Sequence, residues 1–137
     1  MAIWQVVFQF VPQNDKCIKY ENLINNESLN ILSKTLPQQK HWSDSGILFG
    51  DLDKTCVEMF LSDNLIEEFT VKLDLRCIEK KHLDCILLFA ESNRLKISYE
   101  DCAMDATTDN LKRIVLQSKA YSYVKNPRQF LYNLKEK

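Results

Sequence analysis

Glycine is nearly missing from this chain: Gly46 and Gly50 are the only two in 137 residues. A phosphate-cradling loop needs several positions free of a side chain, so the Gly-rich nucleotide sites are all but excluded. Cysteine is present but in the wrong pattern for the usual structural chemistry. Cys17, Cys56, Cys77, Cys85 and Cys102 are odd in number, widely spaced and lack a C-x-x-C pair, which argues against a disulfide framework and against a zinc site. They read as reduced thiols, most of them packing residues. Residues 1–11 hold no basic n-region and no small-residue cleavage pattern, and their apolar run is too short to span a bilayer. The expectation is a cytoplasmic protein with no membrane partner. A catalytic triad, a metal quartet and a cofactor fingerprint are all missing, so no metal and no cofactor is expected.

What the chain does have is the makeup of one globular domain spanning residues 1–137. An apolar share of 45%, an aromatic share of 10% and 27% charged residues are too rich in large side chains for disorder. A chain of this length buries roughly two thirds of its unfolded surface. Charge is close to balanced overall but uneven along the sequence. Residues 1–110 carry 11 Lys/Arg against 18 Asp/Glu, and residues 111–137 carry 7 against 1. The pattern is an acidic body with a basic C-terminal tail.

Periodicity sets the elements. Trp4, Val6, Phe8 and Phe10 alternate with their neighbours, which predicts a strand over 2–11 ended by Pro12. Asn26 is suited to cap a helix over 27–36 with Leu29, Leu32 and Leu36 on one face, ended by Pro37. Residues 37–45 read as surface loop. Strands over 47–50 and 55–61 flank a turn at 51–54, and Ser62-Asp63-Asn64 turns the chain into a third strand in which Phe69, Val71, Leu73 and Leu75 alternate with polar residues. This is a three-stranded antiparallel meander. Helical period returns over 79–92 with Leu83, Ile86, Leu87 and Ala90. A short strand over 95–99 precedes a polar segment, 100–107. Thr108 is suited to cap a helix running to about 124, and Pro127 restarts one carrying Phe130, Leu131 and Leu134. The predicted class is α+β: a mixed, mainly antiparallel sheet of about five strands with helices packed mostly on one face.

Few side chains point to chemistry. Asp44, Asp51, Asp53 and Asp74 gather round the hairpin, yet their spacing matches no ligand-binding loop, and Asp51 and Asp53 are the residues a tight turn prefers. His41 and His82 are the only histidines. His82 falls beside an apolar helical stripe, where a partly buried structural role fits, and His41 reads as surface loop. Lys72, Asp74 and Arg76 share a strand face, either paired across strands with acids such as Glu58 or left open as a docking surface on which Trp42 and Phe60 act as anchors. Lys112, Arg113, Lys119, Lys125 and Arg128 interleave with Tyr121, Tyr123, Phe130 and Tyr132, a composition able to meet phosphates and stack bases. No nucleic-acid motif accompanies it, and the acidic body opposes such a partner.

Trp42-Ser43, Phe49-Gly50 and the run Val71-Lys72-Leu73-Asp74-Leu75-Arg76 resemble small immunity proteins encoded beside polymorphic or contact-dependent growth-inhibition toxins, as does the opening strand over 3–11. The similarity extends over about residues 2–90. It implies a bacterial cytoplasmic protein, not an enzyme, that neutralises a cognate toxin, often a nuclease, by covering its working surface. On this resemblance Asp44, Asp51, Asp53, Glu58, Glu67 and Glu68 supply an acidic field, and Trp42 with Phe60 the anchors. Two other classes stay open: a protein- or nucleic-acid-interaction module using the basic C-terminal helices, and a small enzyme whose site forms only on folding.

Overall fold

A computed structural model describes residues 2–14, 18–25 and 27–125. The alternation that starts the chain gives β1 (Gln5–Pro12), which buries Val6, Phe8 and Phe10 on one face. Two short helices follow, α1 (Tyr20–Asn25) and α2 (Ser28–Ser33). Next come β2 (Gln38–Gln39), β3 (Gly46–Gly50), β4 (Cys56–Ser62) and β5 (Leu65–Asp74). The remaining elements are α3 (Lys80–Ser92), β6 (Leu95–Tyr99), β7 (Cys102–Asp105), α4 (Thr108–Gln117) and α5 (Lys119–Lys125). No described helix is long and apolar enough to cross a membrane.

The strands form one sheet in the order β2-β3-β4-β5-β1-β6-β7, with every described pairing antiparallel. The expected meander is present as β3-β4-β5. Register explains why the helices lie on one side. Val6 pairs with Leu73, Phe8 and Val57 with Val71, Phe10 with Ile97, and Met59 with Phe69, so four strands present one continuous apolar face. Ile86, Phe89 and Ala90 of α3, Leu32 of α2, and Leu111 and Ile114 of α4 close over it in a single core. The Phe89 ring packs 6.0 Å from Phe69 and 6.4 Å from Phe10.

The class is α+β, but the sheet has seven strands where about five are predicted from the sequence, and no parallel pair occurs among the described residues. The two additions are short, mostly exposed edges. β2 arises inside 37–45, expected as loop, and β7 inside the polar segment 100–107. Backbone pairing with a neighbour makes these strands, and side-chain alternation does not report it. Two hairpins turn on pairs of non-Gly residues with positive φ: Asp63 and Asn64 at 51° and 67°, and Glu100 and Asp101 at 49° and 63°. That is the conformation a two-residue hairpin needs to match strand twist.

The helices differ from expectation at their ends. The helix expected over 27–36 is shorter, and Glu27, with φ of 59° and no side-chain cap, stands at its N-cap; Asn26 lies outside the described residues. Thr107 rather than Thr108 caps α4, its Oγ1 accepting the Asn110 N–H at 3.2 Å. The single helix expected to run to about 124 breaks at Ser118, whose hydroxyl donates to the Val115 carbonyl at 2.7 Å and accepts the Tyr121 N–H at 3.1 Å. One side chain thus ends α4 and starts α5. The helix predicted after Pro127, with Arg128, Phe130 and Tyr132, lies outside the described residues.

Of the four described cysteines, Cys56 and Cys85 are buried and Cys77 and Cys102 exposed, so packing accounts for only two. Burial pushes the Cys56 thiol from 9.0 up to about 11, with Lys72 opposing and Glu58 and Asp51 adding to the rise. The folded state therefore keeps a proton that the unfolded chain releases between about pH 9 and 11. Stability from this group is complete below pH 9 and is lost as pH rises through the folded value, on the order of 2 kcal/mol. Urea midpoints taken at pH 8 and pH 10.5 should fall more steeply for the natural chain than for Cys56→Ala; parallel slopes would contradict the burial argument.

Candidate protein-binding surface

Even-numbered residues of β4 point away from the helices, with Glu58 opposite Thr70 and Phe60 opposite Glu68 on β5. A carboxylate in the middle of a central strand needs a partner if it is to be buried. His41, brought over the sheet by the connection between β2 and β3, supplies one. Its Nε2 lies 2.5 Å from Glu58 Oε2, and the two side chains are 1% and 9% exposed. The tautomer follows from the other nitrogen, since Nδ1 accepts the Ser43 N–H at 2.8 Å. The lone pair is on Nδ1 and the proton on Nε2, which donates it to Glu58. With both nitrogens engaged, His41 has none free to take a proton from a substrate. It is a buried brace, not the surface-loop residue its sequence setting suggests.

Gly46 makes this placement possible. A Cβ there would fall 2.2 Å from His41 Nδ1 and 2.4 Å from Cε1, so the imidazole occupies the space a side chain would take. One of the chain's two glycines is thereby accounted for by close approach alone.

Trp42 stands on this brace. Its ring centroid is 5.0 Å from His41 and 6.0 Å from Phe60, and Phe60 meets His41 edge-on at 5.0 Å. Even so, Trp42 is 76% exposed. An indole fixed by two aromatic neighbours yet left in water has the properties of an interface anchor: large contact area and little ordering cost on binding. Beside it opens a cleft of about 370 Å³ whose walls include Trp42, Glu58, Phe60, Asp53 and Lys72.

The far wall of the cleft is the turn between β3 and β4, and the chain's N-terminal end pins it. Gln5 Nε2 donates to the Leu52 and Lys54 carbonyls at 2.9 and 2.7 Å, and Trp4 Nε1 to the Asp53 carbonyl at 3.1 Å. Asp51 Oδ1 accepts the Asp53 N–H at 3.2 Å, the turn role expected of this pair. Arg76 closes the corner. Its Nε and Nη2 fork onto Asp74 at 3.0 and 2.9 Å, and its guanidinium lies 3.9 Å from the centre of the Trp4 ring. The Asp74 bond holds Arg76 above its ordinary value.

The structure thus gathers four residues singled out in the sequence, Trp42, Asp53, Glu58 and Phe60, around one cleft. Glu68 is exposed opposite Phe60. Glu67 is exposed at a bulge, where Phe60 pairs with Glu68 but Leu61 with Ile66. Asp44 is exposed in the turn before β3. Asp51 lines a separate cavity of about 310 Å³ with Asp74, Cys77 and His82. The possible pairing of Lys72, Asp74 and Arg76 with Glu58 is not formed: Arg76 takes Asp74 from its own strand end, and Glu58 takes His41. His82 is partly buried as expected, its Nε2 3.8 Å from Glu79. Among the described residues no His/Cys/Asp/Glu cluster is suited to a metal ion. Lys112, Arg113, Lys119 and Lys125 are exposed on α4 and α5.

His41 and Gly46 are the members of this surface that sequence reasoning missed. The available signal is a lone carboxylate, Glu58, at the centre of an otherwise apolar strand, which calls for a donor from elsewhere. Comparison with protein-family models, with curated proteins and with solved structures gives no match.

Proposed function

We propose that this chain is a cytoplasmic immunity protein that binds a cognate toxin domain, a nuclease being the kind best matched, and neutralises it by covering its working surface. It acts by binding and not by catalysis. The observation that carries the reading is Trp42, braced by a buried His41–Glu58 pair and exposed beside a cleft on the sheet face opposite the helices. Asp53 lines the cleft with Glu58, Glu68 stands across the strand pair from Phe60, and Asp44 and Glu67 add exposed negative charge elsewhere on the chain. Exposed acids speed encounter with a basic partner and make the rate salt-dependent. The engagement of both His41 nitrogens supports a structural duty for the histidine nearest the cleft.

The test is recovery of partners on the tagged chain from its native cells at moderate salt, with mass spectrometry of what co-purifies. One toxin-like protein in stoichiometric amount, lost when Asp53, Glu67 and Glu68 are reversed to Lys, is the expected result. Nuclease-sensitive RNA or DNA, lost when Lys112 and Arg113 are reversed, would move the function to α4 and α5 and overturn the proposal. Those helices favour the second reading only through their exposed bases.

A further inference from the structure

We infer that the cleft beside Trp42 is an acceptor for a single arginine side chain of the partner; the inference rests on the reading of this surface as protein-binding. Its walls combine aromatic, acidic and basic residues. Trp42 and Phe60 offer ring surface, and Glu58 and Asp53 offer carboxylates. Aromatic faces next to carboxylates attract a cation that keeps an apolar, planar face, and the guanidinium is the one protein side chain with that form.

The tautomer of His41 sharpens the argument. Because Nδ1 is held by the Ser43 N–H, the ring pairs with Glu58 as a neutral donor and brings no compensating positive charge. Its hydrogen bond engages Oε2, and Glu58 lines the cleft. A carboxylate screened from bulk water on one side attracts an incoming cation more strongly than one on an open surface.

The same arrangement already exists, occupied, on the other side of the turn between β3 and β4. Arg76 lies against the Trp4 ring and forks onto Asp74 with two charge-assisted bonds. Trp4 and Arg76 both donate to the Asp53 carbonyl. Asp53 therefore stands between two niches of like composition: one filled by the chain's own arginine, the other bounded by Trp42 and Glu58. Lys72 is the cation on the second niche's wall and sets its preference. A second ammonium would place its concentrated charge against Lys72, whereas a guanidinium spreads its charge across the indole face while donating to the carboxylate.

The test uses the full chain labelled with ¹⁵N, in which Trp4 and Trp42 are the only tryptophans and give two indole N–H signals. Acetyl-Gly-Arg-Gly-amide is titrated to about 50 mM, a range that detects the weak binding of one side chain. The Trp42 signal should move to saturation while that of Trp4, whose ring is already covered, moves much less. The citrulline peptide, equal in shape and uncharged, should bind about tenfold more weakly, and the lysine peptide should be weaker than the arginine one. Glu58→Gln should weaken the arginine peptide by about fivefold. Since that change also touches His41, Asp53→Asn serves as the second variant, with an expected loss of about threefold. Equal response to arginine and citrulline, or an unmoved Trp42 signal, overturns the inference. Either result leaves the partner recovery untouched, because a toxin can dock on Trp42 without inserting an arginine.

Discussion

Replacing His41 with alanine is expected to lower the unfolding free energy by about 3–5 kcal/mol, because it strands a buried carboxylate without its donor and leaves a cavity. Three losses combine. Glu58 keeps its burial but loses the donor on Oε2, the Ser43 N–H loses its acceptor, and the floor under Trp42 and Phe60 becomes a void. For a domain of this size the change corresponds to a fall in Tm of roughly 10–15 °C. His41→Gln separates the contributions, since the side-chain amide of glutamine reaches Glu58 as a donor but offers no aromatic face; it should recover about half of the loss. Adding Glu58→Gln to His41→Ala should also recover stability, because an uncharged amide costs less to strand than a carboxylate. Gly46→Ala attacks the same pair from the opposite side. Its Cβ meets the imidazole at 2.2 Å, and the ring cannot retreat without releasing Glu58 or Ser43, so a loss of about 1–3 kcal/mol is expected. Urea unfolding of these variants decides the matter: a cost for His41→Ala below about 1 kcal/mol would show that Glu58 does not depend on the His41 donor for its burial.

The fold was legible where side-chain pattern and backbone pairing coincide. In β3, β4 and β5 the apolar residues alternate because one face meets the helices, so Val57, Met59, Phe69, Val71 and Leu73 announce both the strands and their common face. β2 and β7 are edges built from Gln38-Gln39 and from residues 102–105, with little to bury. Nothing in their side chains marks a strand, since their stability comes from the neighbour's backbone. The break at Ser118 is hidden for a different reason: the apolar residues continue through it, and only the serine's two local hydrogen bonds redirect the chain.

The surface was half legible on similar grounds. Trp42, Phe60 and Asp53 are recognisable by type and by their closeness to a turn. The His41–Glu58 pair joins residues 17 apart, one in a connection and one in a strand, and no period links such positions. What joins them is the antiparallel return of β3 along β4, which sets Gly46 opposite Phe60 and Leu48 opposite Glu58. The residues ahead of β3 are thereby carried over the far end of β4. Once that register is known, a glycine at 46 and a carboxylate at 58 become parts of one site.

Truncating Trp42 to alanine separates binding from stability. Because the side chain is 76% exposed, its removal returns little apolar surface to water, and the Tm should change by no more than about 2 °C. The affinity for the protein partner recovered on the tagged chain should fall about 100-fold, equivalent to about 2.7 kcal/mol and typical of a central aromatic anchor. Trp42→Phe should sit between the two, keeping a ring against His41 with less area to present. Trp4→Ala is the informative contrast. That indole donates to the Asp53 carbonyl and covers Arg76, so its loss should lower the Tm through the turn between β3 and β4 while weakening the complex only indirectly. Calorimetric titration and thermal melts on the same samples read both quantities. If Trp42→Ala melts early and binds normally, the indole is a lid that stabilises the His41–Glu58 pair, and the partner contacts the chain elsewhere. If it melts normally and fails to bind, the brace beneath it exists to hold one exposed ring in position, and His41→Gln should lose affinity in proportion to how far it lets that ring move.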